Sequence, residues 1–208
     1  MKNRYSEKIA GRIRDALTRK GYNFFFNEET RVFHFFIFPD GLLEHLWCTV
    51  YVETAEFEVC ARIPVSMDEE NPAVAARLAE YVCRVNKGSQ HKGGFEIDYY
   101  TGEIYYRAVV ECADDLPLQT VYNCFGNMER RCEQYGDGFL AAVASDIPVE
   151  EIVQDVFYKD CKRRRKRREE GIDDYADDPE DQDDYGDDGE CLDEEEANEP
   201  DSESTPTD

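Results

Sequence analysis

The chain has 208 residues, with 48 acidic and 24 basic side chains and a formal charge of −24. Residues 169–208 hold 21 Asp and Glu and no Lys or Arg, leaving 27 acidic against 24 basic side chains in the other 168. No stretch approaches the roughly 20 apolar residues of a membrane span, and the opening MKNRYSEKIAGRIRD has no apolar core of an export signal. These features predict a cytoplasmic protein. They also predict one folded unit of about 150–165 residues and a self-repelling acidic tail, 171–208, that stays disordered.

Ser6 is placed to cap a first helix whose apolar positions Ile9, Ile13, Ala16 and Leu17 share one face. Gly21 is its stop. A strand-rich region follows. Asn23–Phe26 and Val32–Pro39 are joined by a hairpin-like connection, and Leu46–Val52 and Glu56–Pro64 form a second pair. In that second pair, alternation puts Cys48, Val50 and Val52 on one side of their strand. Phe57, Val59, Ala61 and Ile63 share one side of the next. Asn71 and Pro72 open a second helix, with Val74, Leu78, Tyr81, Val82 and Val85 as its buried stripe and Gly88 as its end.

The hairpin Gly94–Val110 turns through Tyr99, Tyr100, Thr101 and Gly102. A long helical pattern then runs through Leu118, Val121, Phe125, Met128, Cys132, Tyr135 and Phe139, in steps of 3 and 4. Gly126, Gly136 and Gly138 weaken it by about 1 kcal/mol each relative to Ala, which predicts a break near 136–138. A last helix opens at Asp146 and Pro148. It carries Val149, Ile152, Val153, Val156 and Phe157 on one side and ends in the run Lys162, Arg163, Arg164, Arg165, Lys166, Arg167, Arg168. The order α-β-β-β-β-α-β-β-α-α segregates strands from helices. It predicts an α+β fold with a mainly antiparallel sheet and flanking helices.

A further pattern is superimposed on this order. A first helix and a β-meander lead to a second helix ending in Asn86. Then come Gly94, Phe95 or Ile97, the acidic Asp98, the turn residue Gly102, Glu103, and Arg107 on an aromatic strand. Over residues 1–145 this pattern resembles the bacterial YbjN-type domain family. The resemblance implies a fold similar to type III secretion chaperones and a role as a sensory-transduction regulator. It implies no catalytic residues, and Asn86, Gly94, Asp98, Gly102 and Arg107 enter as structural motif positions. The last helix with its basic end, 146–170, and the tail, 171–208, lie outside it.

The chemistry-bearing residues are sparse. The cysteines stand at 48, 60, 83, 112, 124, 132, 161 and 191, with no CxxC pair. That spacing argues against a zinc site and for reduced thiols in a chain without an export signal. Cys48, Cys83, Cys124 and Cys132 fall on apolar-periodic positions and read as core. Glu96 and Asp98, two apart on a strand, would point to one side, and such a pair can do acid–base work or bind a cation. The competing reading is a solvated face partnered by Arg107. His34, His45 and His91 have no spaced partners and read as packing or surface residues. No cofactor or metal is expected.

The aromatic residues carry the main functional expectation. Phe33, Phe35 and Ile37 take one side of their strand. Val32, His34, Phe36 and Phe38 take the other, where Phe25, Trp47 and Tyr51 can join them. A face of this kind left open is a binding surface for another protein or for a second copy. Alternatively, the first or last helix wraps around to cover it. Base stacking on such a sheet is the nucleic-acid reading. Residues 1–161, however, carry 27 acidic and 17 basic side chains, and phosphate binding needs a positive surface. Only 162–168 offers one, and it reads as a solvated helix end that balances its own tail. The leading expectation is a non-catalytic module that binds a protein partner, chaperone-like or regulatory. A nucleic-acid-associated regulator using 162–168 comes second, and an enzyme using Glu96 and Asp98 last.

Overall fold

Ser6 accepts a hydrogen bond from the Ile9 amide and starts α1 (Glu7–Arg19), which buries Ile9, Ile13, Ala16 and Leu17, the face its spacing predicts. In the computed structural model, which describes residues 5–67, 70–87, 93–112 and 116–171, nine further elements follow. They are β1 (Phe24–Asn27), β2 (Val32–Ile37), β3 (Leu46–Val52), β4 (Glu56–Ser66), α2 (Pro72–Val85), β5 (Gly94–Ile97), β6 (Glu103–Glu111), α3 (Leu118–Ala144) and α4 (Val149–Glu169). The fold is α+β in the predicted order. The tail expectation lies outside the described residues, apart from Gly171, as does the Gly88 stop of α2.

All six strands form one antiparallel sheet in the order β1-β2-β3-β4-β6-β5. β6 therefore lies beside β4, and the hairpin partner β5 takes the far edge. Several strand ends differ from expectation: β1 is Phe24–Asn27 rather than Asn23–Phe26, and β6 ends at Glu111 rather than Val110. β2 stops at Ile37, leaving Phe38 and Pro39 in the following loop. β4 continues past Pro64 to Ser66, with its register against β6 shifting between Ile63 and Ser66. Proline has no N–H for the ladder, so the irregularity falls where Pro64 stands.

The alternation of the strands sorts into two faces. Phe33, Phe35 and Ile37 of β2 are buried on one of them. With them lie Leu46, Cys48, Val50 and Val52 of β3, the Phe57–Ile63 set of β4, Phe95 of β5, and Ile104, Tyr106 and Ala108 of β6. The helices lie against this face. α3 contacts β4 and β6, α2 contacts β5 and α3, and α1 packs on α3. α4 packs on α2 and α3 and contributes Val149, Ile152 and Val156 to the common core.

The predicted break in α3 does not occur: the helix is continuous over 27 residues. Gly136 and Gly138 are places of close approach instead. A Cβ at 136 would stand 2.6 Å from Cδ1 of Leu43, and a Cβ at 138 would strike the Tyr81 hydroxyl. That hydroxyl donates to the Tyr135 carbonyl at 2.8 Å. Each glycine costs the helix about 1 kcal/mol. Burying Leu43 and Tyr81 returns about 1.5–3 kcal/mol apiece, so the continuous helix wins. Cys83 also departs from expectation. It is exposed on α2, whereas Cys48, Cys124 and Cys132 are buried, and the seven described cysteines are free thiols.

Candidate functional site

Among the described residues, the second face of the sheet has no helix on it. Strand parity places Phe25 of β1, His34 and Phe36 of β2, and Trp47, Thr49 and Tyr51 of β3 on this face. It continues with Glu56, Glu58, Cys60 and Arg62 of β4, Glu103, Tyr105, Arg107, Val109 and Glu111 of β6, and Glu96 of β5. Phe25 is 63% exposed, Phe36 39%, Trp47 43% and Tyr51 44%, so the aromatic face is open.

The register brings the sequence-predicted aromatic residues together. Phe25 stands opposite His34, and Phe36 opposite Trp47. The Phe36 and Trp47 rings meet edge to face at 4.8 Å, the His34 ring lies 5.3 Å from Trp47, and His45 joins at 5.6 Å from Phe36. Val32, expected on the same side, is buried, and Phe38 lies in the loop beyond the strand. Tyr51 stands opposite Val32 on one side and Glu58 on the other.

Beyond Tyr51 the face becomes charged. Arg107 is shared between Glu58 at 2.7 Å and Glu96 at 3.4 Å, and Arg62 pairs with Glu103 at 2.7 Å. Arg107, Glu58, Arg62 and Glu103 line, with Trp47, Tyr51 and Tyr105, a shallow concavity of about 500 Å³. Partial burial works to raise the Glu58 carboxyl. The hydrogen bonds from Arg107 and Cys60, with the Arg107 charge, outweigh it and hold the group below the ordinary carboxylate range. The Cys60 thiol donates to Glu58 at 3.2 Å. Burial first, and then that bond, push it up to about 12, so it stays a thiol near neutrality and is a poor nucleophile.

Glu96 and Asp98 do not make a free carboxylate pair. Glu96 is engaged by Arg107. β5 ends at Ile97, so Asp98 opens the turn rather than continuing the strand, and its side chain accepts from the Tyr100 amide at 2.8 Å. Among the described residues no group of three His, Cys, Asp or Glu side chains is arranged to hold a metal ion. His91 lies outside the described residues.

The remaining motif positions build the β5–β6 hairpin and its anchorage. Asn86 follows the last turn of α2. Its amide donates to the Phe95 carbonyl at 2.8 Å and accepts from the Phe95 amide at 2.9 Å, the pairing a neighbouring strand would make. Gly94 leaves room for it, since a Cβ there would come within 3.0 Å of Asn86 Oδ1. Gly102 has φ +72 and closes the turn, its amide donating to the Asp98 carbonyl.

The basic run is less free than its sequence suggests. Lys162, Arg165 and Lys166 are solvated as expected, several other groups of the run are tied to the folded domain, and its balance with the tail lies outside the described residues. Arg167 pairs with Asp40 at 2.7 Å and Glu133 at 3.6 Å, Arg163 donates to the Glu133 carbonyl, and Arg164 pairs with Asp160. Helical spacing explains this, because positions 160, 163, 164 and 167 share one face of α4 and that face meets α3.

Sequence reasoning found the aromatic half of the open face and the Glu96–Arg107 pair, and missed the rest of its charged half. Alternation in Glu56–Arg62 and Glu103–Glu111 was the available signal. The neighbour relation between β4 and β6, which turns two alternating strands into one charged surface, skips α2 and β5 and leaves no local trace. No family model matches this chain, and no curated protein and no solved structure matches it. Among the described residues no helix is long and apolar enough to cross a membrane.

Proposed function

We propose that this chain is a non-catalytic protein-binding module of the cytoplasm, chaperone-like or regulatory, that docks its partner on the open face of the sheet. One observation carries the reading: four large aromatic side chains on three adjacent strands stand exposed on a sheet face that no helix among the described residues covers. Such a patch is costly in water and is a recurrent property of interaction surfaces. The resemblance of residues 1–145 to YbjN-type domains agrees with a regulatory binding role. The engagement of Glu96 and Asp98 in an ion pair and a turn, and the raised Cys60 thiol, favour binding over catalysis.

The test is affinity capture with tagged chain and with a Phe36→Ala/Tyr51→Ala variant, each with and without nuclease. Both substitutions fall on exposed positions, so the fold should survive, which circular dichroism checks. A partner retained after nuclease and lost with the variant supports the reading. A partner set identical for both proteins would refute it.

A further inference from the structure

The open face is not electrically neutral. It carries five carboxylates, Glu56, Glu58, Glu96, Glu103 and Glu111, against two guanidinium groups, Arg62 and Arg107. The two arginines are already taken by Glu58, Glu96 and Glu103. Glu56 and Glu111 stand directly opposite each other on β4 and β6, both are exposed, and neither has a basic partner among the described residues. Like charges directly opposite on neighbouring strands destabilise a sheet, and a cation lying between them would remove that cost.

The aromatic rings stand beside this charge in a repeated way. Tyr51 is opposite Glu58, and Tyr105 is opposite Glu96. Tyr105 is raised above its ordinary range by burial and then by the nearby carboxylates of Asp98 and Glu96, so the negative field reaches that ring. An aromatic ring in a negative field suits a guanidinium group, which stacks on it, and carboxylates without a basic partner among the described residues, as at Glu56 and Glu111, can take a forked pair from a neighbouring guanidinium.

We infer that the partner segment docked on this face is arginine-rich, with guanidinium groups lying over Tyr51 and Tyr105 and others pairing with the carboxylates of Glu56 and Glu111. The inference rests on the docking role proposed for the face and specifies its occupant. The same charge repels a phosphate backbone. A second copy meeting it face to face would bring the same acidic surplus against it.

Trp47 is the only tryptophan of the chain and lies on this face, so its emission reports binding there. The full chain is titrated with a synthetic ten-residue peptide alternating Arg and Thr, with a counterpart carrying Glu in place of Arg, and with a single-stranded oligonucleotide. The expected result is a saturable change of Trp47 emission with the arginine peptide alone. It should weaken about five-fold in a Glu56→Gln/Glu111→Gln variant, as two exposed charge pairs allow, and weaken further in 0.5 M salt.

Three outcomes overturn the inference. They are an unchanged emission with the arginine peptide, an affinity that the Gln variant does not alter, and a response to the Glu peptide or the oligonucleotide. Emission that shifts with protein concentration alone would assign the face to a second copy and overturn it too. If partner capture still depends on Phe36 and Tyr51 while the arginine peptide fails, the docking role stands and only the basic occupant falls. If capture ignores Phe36 and Tyr51, the docking role itself falls.

Discussion

A valine at position 102 would meet two obstacles at once. The backbone there has φ +72, which costs a non-glycine residue about 1–2 kcal/mol. The new Cβ would also run into the carbonyl of Met67, whose amide donates to the Gly102 carbonyl at 2.8 Å. Gly102→Val should therefore destabilise the fold by about 2 kcal/mol or more, read as a lower urea midpoint with an unchanged slope. Asparagine tolerates positive φ but keeps the Cβ, so Gly102→Asn should recover only part of the loss. The φ requirement was legible, because the hairpin's length and its Gly demand a left-handed residue. The Met67 contact was not, since it comes from just beyond the end of β4, some 35 residues away, through a pairing that local sequence does not encode.

At the scale of elements, period and type were readable and endpoints were not. Caps fixed where α1 and α2 begin, because Ser6 and Asn71 each have one amide to satisfy within a few residues. The α3 glycines misled because helix propensity counts a missing side chain only as a loss. In the folded chain the space of the missing Cβ at 136 and 138 is occupied by Leu43 and Tyr81, which arrive from a loop and from α2. Gly138→Ala should accordingly destabilise rather than follow the propensity gain of about 1 kcal/mol that a solvent-exposed glycine would give. Its Cβ would displace the buried Tyr81 hydroxyl from the Tyr135 carbonyl, and we expect a net loss of about 1–3 kcal/mol. Calorimetry of Gly138→Ala beside Gly11→Ala separates the two effects. Gly11 lies in α1, and a Cβ there would find no neighbouring atom within 4 Å, so alanine at that position should raise the midpoint.

At the scale of the whole molecule, several of the charges that look most available for nucleic acid are already engaged. Sequence alone sets seven basic residues in a row at 162–168, and a run of that density is a familiar electrostatic footprint. Folding turns one side of it inward. Arg167 bridges Asp40 and Glu133, Arg164 answers Asp160, and Arg163 holds the Glu133 carbonyl. To reach phosphates, these groups would have to abandon carboxylates already in contact. The sheet offers no compensation, because its exposed rings stand among a surplus of carboxylates that a polyanion would have to approach. Each phosphate neutralised gains only the release of its condensed counterions, and that gain shrinks when the lysines and arginines are already neutralised within the chain. We therefore expect binding to single- or double-stranded oligonucleotides no tighter than about 10 μM at physiological salt, the non-specific range, and the same for a chain ending at Glu170. Fluorescence anisotropy with labelled 20-mers of differing sequence measures it. Submicromolar affinity that depends on sequence would mean that the ion pairs of α4 open on binding, and it would transfer the functional surface from the sheet to the end of that helix.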